Sequence, residues 1–436
     1  MYPFAYSVAR RFLVLLFIVI ASSQSAAADG LFLGTAPQRS AAADTAPPFL
    51  ATSRARDVIL DQAYLADTIA PLGMDRQPGR LSAVPQPTSV RIELFPGIVV
   101  DFQRTSISEA FGGGYVWTGA AQSPVEALAN LVIRDGTVTG HVEIGGAEPR
   151  SYRIDPIAQG GIHRITELDS AGFPSEGHPP HDDHDDHGAL QDALPFDRVQ
   201  SDTVTTIDVL VAYTSAAASG IESAANLAVS LANTGFTNSN VLIQYRLVGL
   251  VQVQNYAETD METMLEDLRL ATIPGFQTVH TERDARGADL VALLVSASSQ
   301  YCGIGYLPDV PGPGTAHLAY SVTAVNCISN HTFVHELGHN AGVNHDRYVV
   351  SPTPPDTADQ YGYVDVPSRF RTIMAYANRC SDQGVSCTRI NHFSNPEVSY
   401  NGQTTGILAG NPGAANAARW LNAVREAVAA YRPEVG

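Results

Sequence analysis

The order of apolar and polar positions divides the chain into a β-rich part and a later part in which strands and helices alternate. Between Ser89 and about Leu168, short runs alternate apolar with polar residues, and Asp135-Gly136 is typical of a hairpin turn. After about residue 200, buried strands alternate with helices at residues 206–213, 221–234, 241–253, 261–270 and 288–295. This alternation predicts an α/β (α+β) domain with a mostly parallel sheet covered by helices.

Four other stretches complete this outline. Residues 316–323 predict an antiparallel edge strand, and residues 414–431 have the apolar spacing of a closing helix. The stretch 29–85 is rich in Ala, Pro and Ser, which indicates a loosely ordered leader with one short helix around residues 58–70. Residues 176–188 consist mostly of Gly, Pro, His and Asp, a composition that cannot build a core. We therefore expect a linker there, with a domain boundary between about 175 and 205.

The N-terminus predicts export. Arg10 and Arg11 precede an apolar run at residues 12–20, and small residues follow as far as Ala28, which gives the three parts of a signal peptide. A membrane anchor is the alternative, but a spanning helix needs about 20 apolar residues. We expect a signal peptide at residues 1–28, an extracellular product, and no membrane span once the signal is removed.

Composition narrows the choice of partners. The formal charge is −18, and all 26 basic residues are arginine. Sequence-independent binding to nucleic acid relies on basic patches that displace counterions from the phosphates. An acidic chain does not suit that role, so we expect no nucleic-acid partner.

Four cysteines lie in the last third of the chain. An even number of cysteines in an exported chain indicates disulfides. Among the three pairings that four cysteines permit, we favour Cys302 with Cys327 and Cys380 with Cys387. A second, structural zinc site is the alternative, although the C-x2-C spacings typical of such sites are absent.

The segment 335–346 reads His-Glu-Leu-Gly-His-Asn-Ala-Gly-Val-Asn-His-Asp. On a helix, His335 and His339 project from the same face, so both imidazoles can reach one metal ion at about 2.1 Å. Gly342 permits a left-handed turn at the end of the helix, after which His345 can supply a third nitrogen. Three protein ligands leave one coordination position open, which is the arrangement of catalytic rather than structural zinc.

Two neighbours of these histidines have different expected roles. Glu336 lies beside the first ligand without being one, so its carboxylate can act as general base toward water. His331 lies one helical turn earlier, but residues eight apart on a helix are about 12 Å apart along its axis. His331 and His339 therefore cannot share one metal ion. We expect His331 to start the helix, with Ser329 or Asn330 as the cap.

A five-residue H-E-x-x-H pattern can arise by chance on an ordinary helix. Here it continues to a third histidine and is followed by Thr372-Ile373-Met374-Ala375-Tyr376. This combination resembles the metzincin zinc metalloproteases, and the aspartate after the third histidine resembles their reprolysin group. The surrounding sequences resemble the bacterial peptidyl-Asp metalloendopeptidases most closely; they are Tyr301-Cys302-Gly303-Ile304, Arg371 to Tyr376 and Phe393-Ser394-Asn395-Pro396. The resemblance covers about residues 200–436 and, more loosely, the β-rich segment before them, which resembles the propeptides of reprolysin-type precursors.

The resemblance implies a metzincin-like catalytic domain at residues 191–436, with a twisted mixed sheet and an active-site helix, preceded by a small β-rich propeptide at residues 29–190. It implies a secreted zinc-dependent endopeptidase, made as a zymogen, that hydrolyses protein or peptide substrates as a monomer. A secreted zinc-binding pseudoenzyme or adhesion module is the alternative from another class. A structural Ca2+ ion is a further option whose ligands the sequence does not place.

The resemblance also assigns roles to single residues. Met374 would form the apolar floor beneath the three histidines. Tyr376 lies where astacin-like and serralysin-like members carry a tyrosine that approaches the zinc and the transition state, whereas reprolysins usually have proline there. Core packing is the alternative role for Tyr376. Asp346 would hold the third-ligand loop or the methionine turn by hydrogen bonds.

Two properties stay open at the level of the sequence. Cleavage N-terminal to aspartate, which the peptidyl-Asp resemblance implies, needs a cationic pocket, and Arg371, Arg379 and Arg389 are candidates for it. No cysteine precedes Cys302, which excludes a propeptide cysteine as the block on the zinc. We hypothesise that one histidine of the linker occupies the open zinc position in the precursor, with a solvated linker as the alternative; the histidines are His178, His181, His184 and His187.

Overall fold

The computed structural model describes residues 30–36, 51–68, 89–122, 126–158, 161–180 and 202–435. The predicted signal peptide and residues 181–201 of the predicted linker lie outside the described residues. The described chain forms an N-terminal unit, residues 30–168, on an antiparallel sheet, and a C-terminal unit, residues 202–435, on a mixed sheet.

The described part of the N-terminal unit contains one sheet and one short helix. Its elements are β1 (Phe32–Thr35), β2 (Thr52–Leu60), α1 (Gln62–Thr68), β3 (Ser89–Phe95), β4 (Ile98–Glu109), β5 (Tyr115–Ala121), β6 (Ala127–Arg134), β7 (Thr137–Ile144), β8 (Arg150–Ala158) and β9 (Ile162–Leu168). The order across the sheet is β1-β2-β9-β8-β7-β6-β5-β4-β3, and each neighbouring pair is antiparallel. The β-rich module predicted from residue 89 onward is therefore confirmed as a set of strands.

The described parts of the predicted leader belong to this sheet. Residues 30–36 and 51–60 carry β1 and β2, so the expectation of loose order is wrong for them. Strand β2 pairs with β9, more than 100 residues later in the chain, and this tertiary pairing outweighs the weak local pattern. The helix predicted at 58–70 begins only at Gln62, because the Asp61 carboxylate accepts the first free backbone N–H groups as a cap.

The C-terminal unit has a five-stranded main sheet with helices around it. Its main elements are β10 (Thr205–Tyr213), α2 (Ile221–Asn238), β11 (Ile243–Gln252), α3 (Met261–Leu270), α4 (Pro274–Arg286), β12 (Leu290–Val295), β13 (Gly303–Gly305), β14 (Tyr320–Ala324), α5 (Thr332–Asn340), α6 (Asn378–Ser381) and α7 (Ala417–Val428). Short strands add two small sheets; they are β15 (Val364–Asp365), β16 (Phe370–Arg371), β17 (Thr388–Arg389), β18 (Ser399–Tyr400) and β19 (Gln403–Thr404).

The main sheet has the order β11-β10-β12-β14-β13. The first four strands are parallel neighbours, and β13 lies antiparallel to β14 at the edge. The predicted antiparallel edge strand at 316–323 is wrong, since residues 320–324 form the parallel strand β14. The edge strand is Gly303–Gly305, whose sequence Gly-Ile-Gly has no strand pattern and which is a strand only through its pairing with β14.

Helix α4 is absent from the predicted elements. It starts with Pro274 in its first turn and ends at Gly287, which has φ +63°. Only two of its large apolar side chains, Phe276 and Val279, are buried. Two buried apolar positions within one turn of a 13-residue helix are too weak a pattern to predict the helix from spacing alone.

Helix α2 joins the two units. The Asn130 side chain on β6 donates hydrogen bonds to the hydroxyls of Ser230 and Thr234 at 2.8 and 2.7 Å. At the other end of the helix, the Arg134 guanidinium pairs with the Glu222 carboxylate. These contacts seat the N-terminal sheet on the helix that covers the main sheet of the C-terminal unit.

Both disulfides join the pairs that the sequence favoured. Cys302 bonds to Cys327, which ties the start of β13 to the turn before α5. Cys380 bonds to Cys387 between α6 and β17. Among the helices in the described ranges, none is long and apolar enough to span a bilayer.

The closing helix α7 should be a main source of stability for the C-terminal unit. Its Leu421 is 0% exposed in the core under the main sheet, whereas Leu408 is 57% exposed. We predict that Leu421→Ala lowers the free energy of unfolding by about 2–5 kcal/mol through loss of buried apolar contacts. Scanning fluorimetry should show a melting temperature lower by about 5–15 °C. Leu408→Ala is the control, and an equal loss in both variants would contradict this assignment of the core.

Candidate active site

Helix α5 carries the first two histidines of the motif and ends sharply. Its N-cap is His331, with φ +59°, so the predicted caps Ser329 and Asn330 are wrong by one or two residues. The helix ends after Asn340, whose side-chain amide lies 2.9–3.1 Å from three backbone carbonyl oxygens of the segments around β13 and β14. Gly342 then turns the chain with φ +79°, as the sequence predicted. This turn brings His345 back toward the helix.

The three imidazoles converge on one point. The Nε2 atom of His339 lies 3.1 Å from Nε2 of His335 and 2.9 Å from Nε2 of His345. The other nitrogens face outward, with His335 Nδ1 2.8 Å from the Ile373 carbonyl oxygen and His339 Nδ1 2.7 Å from that of Val343. Because Nδ1–H donates to a carbonyl in each case, the Nε2 lone pairs are left to face each other, as metal-binding histidines require.

The donor set fits a zinc ion. The three side chains are at most 2% exposed, and their ligand atoms lie within 4.8 Å of one another. Burial lowers the pKa of His335 to about 4 and lowers the pKa of His345 well below its ordinary range. The imidazoles of His335 and His345 are therefore neutral at pH 7, which is the form that binds a cation. Three nitrogen ligands with room for a fourth group are typical of catalytic zinc.

The Glu336 carboxylate lies beside this group with both oxygens buried. Neither oxygen accepts a hydrogen bond from the residues that the structure describes. Burial, and after it the charge of Glu176, raise the pKa of Glu336 well above its usual value. A Cβ on Gly303 would come within 2.8 Å of Glu336 Oε1, so glycine there lets the edge strand β13 approach the carboxylate. Two unpartnered buried oxygens suit a carboxylate that works on water or substrate.

Met374 lies directly beneath helix α5 and is 0% exposed. A Cβ on Gly338 would come within 2.8 Å of the Met374 sulfur, so the glycine in the motif permits the close contact. The neighbouring Ile373 supplies the carbonyl that holds His335. The sulfur packs against the helix at Gly338.

Asp346 connects the third histidine to the segment after Met374. One carboxylate oxygen accepts the backbone N–H of Tyr376 at 2.8 Å, and the other accepts that of Tyr348 at 3.1 Å. The Tyr376 ring lies 4.0 Å from the ring of His345 between centroids. Burial raises the pKa of Tyr376 above its ordinary value, so its hydroxyl stays protonated and can donate. Tyr376 is thus at the metal-binding group rather than in the core away from it.

His331 faces away from the three histidines. Its Nε2 lies 2.6 Å from Oε1 of Glu143 on β7, and the same oxygen lies 3.2 Å from Nε2 of His141. These three residues form a second group of potential metal ligands at the contact between the two units. Their short N···O distances are those of hydrogen bonds, in which both imidazoles donate to one carboxylate.

Of the three candidate arginines, two are buried at the site and one is not. Arg371 and Arg389 are 3% and 4% exposed, whereas Arg379 is exposed on α6. Arg389 binds Glu176 through two guanidinium nitrogens, one of them at 2.9 Å. Burial, and then the charge of Arg389, lower the pKa of Arg371 to about 9. The site around the three histidines and Glu336, called here the cleft, therefore contains two buried cationic groups, Arg371 and Arg389.

Glu176 is the site residue that the sequence analysis missed. It is 4% exposed, and its backbone carbonyl oxygen accepts a hydrogen bond of 2.8 Å from the Tyr376 hydroxyl. Glu176 precedes the His/Asp-rich tract, and its contact partner Arg389 follows 213 residues later. No local spacing in the sequence predicts a contact over that separation. His178, two residues later, has its ring 6.3 Å from that of His345 but is not among the metal-binding atoms. His181, His184 and His187 lie outside the described residues. The hypothesis that a linker histidine occupies the open zinc position in the precursor therefore stays a prediction.

Comparison with known proteins agrees with this geometry. Residues 200–403 match the Reprolysin-like metallo-peptidase family M12B. The chain is 31% identical over 453 residues to the peptidyl-Asp metalloendopeptidase of Stenotrophomonas maltophilia, covering 95% of this chain and 100% of that protein. The protein of the same name from Xanthomonas campestris is 30% identical over 453 residues, with 96% and 97% covered. That from Pseudomonas aeruginosa is 31% identical over 256 residues, which are 52% of this chain and 40% of that protein.

The mixed sheet, the three-histidine group and these relatives define a zinc metalloendopeptidase, a hydrolase that cuts peptide bonds within chains. The chain belongs to the family of the peptidyl-Asp metalloendopeptidases, to which it is similar over nearly its whole length, and its residues 200–403 form a reprolysin-like metallopeptidase domain.

Loss of one ligand should be visible directly in the metal content. We predict that His345→Ala reduces bound zinc from about one ion per chain to well below that value after dialysis, because two ligands no longer form a closed site. Elemental analysis of the purified protein measures this. His317→Ala, which changes an exposed histidine on another face, is the control. Full zinc content in His345→Ala would show that this histidine is not a ligand.

Proposed function

We propose that the chain is an exported endopeptidase whose zinc is held by His335, His339 and His345, and which cuts on the N-terminal side of aspartate. The observation that supports the catalytic part is the convergence of three buried Nε2 atoms beside a carboxylate with no other partner among the described residues. An adhesion module or pseudoenzyme needs no such carboxylate, and nothing at the site favours that alternative.

The chain's own residues divide the work of hydrolysis. Zinc, when bound, acts as a Lewis acid toward the scissile carbonyl and makes water more acidic. Glu336 takes the proton from the attacking water and passes it to the nitrogen of the leaving amine. The raised pKa of this buried carboxyl suits both steps, because a group that binds a proton more readily can accept it and then donate it.

Tyr376 has the position of a hydrogen-bond donor to the substrate. Its hydroxyl lies 2.8 Å and 3.2 Å from two successive peptide carbonyl oxygens, those of Glu176 and Gly177. A donor that reaches peptide carbonyls in the cleft can stabilise negative charge as it develops on the scissile carbonyl oxygen. We assign this role to Tyr376, and to Asp346 the role of holding its backbone.

The aspartate preference has two supports. The relatives that cover nearly the whole chain carry the name peptidyl-Asp metalloendopeptidase. The cleft itself holds the buried arginine Arg389, which already binds one carboxylate through two nitrogens. A planar guanidinium that forms paired hydrogen bonds is the side chain best suited to select a carboxylate. Arg371 donates to the Ala375 carbonyl at 2.6 Å, and Arg389 also donates to this oxygen, at 3.1 Å.

Export and zymogen maturation are part of the same proposal. The predicted signal peptide precedes all described residues, and two disulfides suit an oxidising compartment outside the cytosol. We assign residues 29–190 to a propeptide and residues 191–436 to the mature enzyme. Sequencing the N-terminus of the active secreted form tests the boundary between residues 190 and 191, and an active form that starts before residue 170 would contradict it.

Replacing the proposed base separates chemistry from metal binding. We predict that Glu336→Gln keeps its zinc but lowers kcat by about 100-fold or more, since general acid–base catalysis contributes at least that factor. Peptide hydrolysis and elemental analysis of the same sample measure the two quantities. Glu397→Gln, an exposed glutamate to glutamine change, is the control. Normal turnover in Glu336→Gln would exclude this residue as the base.

Selectivity should change with Arg389 and not with Arg379. For the matured enzyme, we predict that Arg389→Gln lowers kcat/KM for an aspartate-containing peptide by about 10- to 100-fold, the value of a charged hydrogen-bond pair. The kcat/KM for the matched peptide with asparagine in place of aspartate should fall much less. Arg379→Gln, the same change at the exposed arginine, should leave the ratio of the two peptides unaltered. A ratio that stays unchanged in Arg389→Gln would exclude this pocket.

A further inference from the structure

One segment of the chain lies across the cleft of the proposed enzyme. Residues 175–180, called here the cleft segment, follow the N-terminal unit and run beside the edge strand β13. Cys302 N–H donates to the Ser175 carbonyl at 2.8 Å, and Gly177 N–H donates to the Gly303 carbonyl at 2.7 Å. Further along, Leu307 N–H reaches the Pro180 carbonyl at 3.4 Å. The free edge of a sheet binds an extended peptide in this way.

The Glu176 side chain of the cleft segment occupies the pocket at Arg389. Glu176 binds Arg389 with both carboxylate oxygens, and its Oε1 also lies 3.3 Å from the Thr332 hydroxyl at the start of α5. Burial alone would keep this acid neutral, but the charge of Arg389 outweighs it and lowers the pKa of Glu176 below its usual range. The arginine is buried too, so it needs a carboxylate partner to remain in the pocket at low cost.

Besides the strand edge and the pocket at Arg389, the cleft segment also engages the Tyr376 hydroxyl through its backbone. The Glu176 and Gly177 carbonyl oxygens share the Tyr376 hydroxyl. A Cβ on Gly177 would approach Ile304 to 3.1 Å, so glycine lets the segment lie flat on β13. The strand edge, the cationic pocket and the tyrosine donor are thus all engaged at once. A substrate that needs these three features cannot bind until the segment leaves.

We propose that Glu176 is an internal ligand of the carboxylate subsite at Arg389, and that it holds the cleft segment in place as a pseudosubstrate that keeps the chain inactive. This inference rests on the proposed function, since a pseudosubstrate requires a peptidase site to block. It differs from the linker-histidine hypothesis because the anchor is a carboxylate on an arginine and not an imidazole on the metal. The subsite selects carboxylates in both roles, first that of the chain itself and then that of the substrate.

Two variants test the anchor in the full-length chain. Glu176→Gln removes the negative charge, and Gly177→Pro removes the N–H group that bonds to Gly303 and pushes the segment off β13. Glu222→Gln is the matched control, because it breaks an ion pair between the same two units at Arg134, which bonds to the Phe111 and Gly113 carbonyls and not to the cleft. Initial rates are measured on a quenched fluorescent peptide with one aspartate, and gels confirm that each chain is still uncut.

We expect both cleft variants to cut the peptide about tenfold faster than the wild-type chain or more, the factor that a loss of about 1.4 kcal/mol in docking gives. The control should keep the wild-type rate. The proposal is overturned if both cleft variants stay as slow as wild type while prolonged incubation still yields active enzyme. It is also overturned if the uncut wild-type chain is already as fast as the variants, or if the control is activated to the same degree.

Hydrogen exchange tests the docking of the cleft segment without any peptidase assay. If no sample cuts any peptide, that result counts against the proposed function, and hydrogen exchange still tests whether Glu176 is an internal ligand. In a Glu336→Gln background, which keeps the chain intact, the amides of Gly177 and Cys302 should be protected. Adding Glu176→Gln should accelerate their exchange about tenfold or more. Unprotected amides in the parent, or equal protection with and without the Glu176 carboxylate, would overturn the internal ligand.

Discussion

The orientation of three buried imidazoles is the central constraint on this molecule. His335 and His339 are fixed because each directs one ring nitrogen at a backbone carbonyl, which leaves the other nitrogen turned toward His345. One of these carbonyls belongs to Ile373, next to Met374, and the other belongs to the turn after Gly342. The geometry of the site is therefore set by backbone positions, which the main sheet and helix α7 hold in place.

The site contains two buried arginines although the chain as a whole is acidic. The chain has a formal charge of −18, yet the cleft places Arg371 and Arg389 behind the metal-binding group with little exposure. An acidic surface repels acidic substrates at a distance, but salt screens that effect beyond about 10 Å. Under the proposed function, recognition of a carboxylate is consequently a short-range property of the pocket. Glu176 binds in the same pocket, so the two proposals give selectivity and latency one physical cause.

Local periodicity made part of this structure predictable. The spacing of the histidines, the turn at Gly342 and the helix at 261–270 are set by residues within a few positions of each other, and the structure has them where the sequence puts them. The strand at 303–305 and the leader strands depend on partners far along the chain, so no local pattern reveals them. The contact of Glu176 with Arg389 joins residues 213 apart and has no sequence signal.

X-ray absorption at the zinc edge of the purified chain tests the metal centre most directly. The account predicts about one zinc ion per chain with three nitrogen scatterers of imidazole type at about 2.0–2.1 Å and no sulfur neighbour. A sulfur shell near 2.3 Å, fewer than three imidazoles, or a chain that cuts peptides without any bound metal would contradict it.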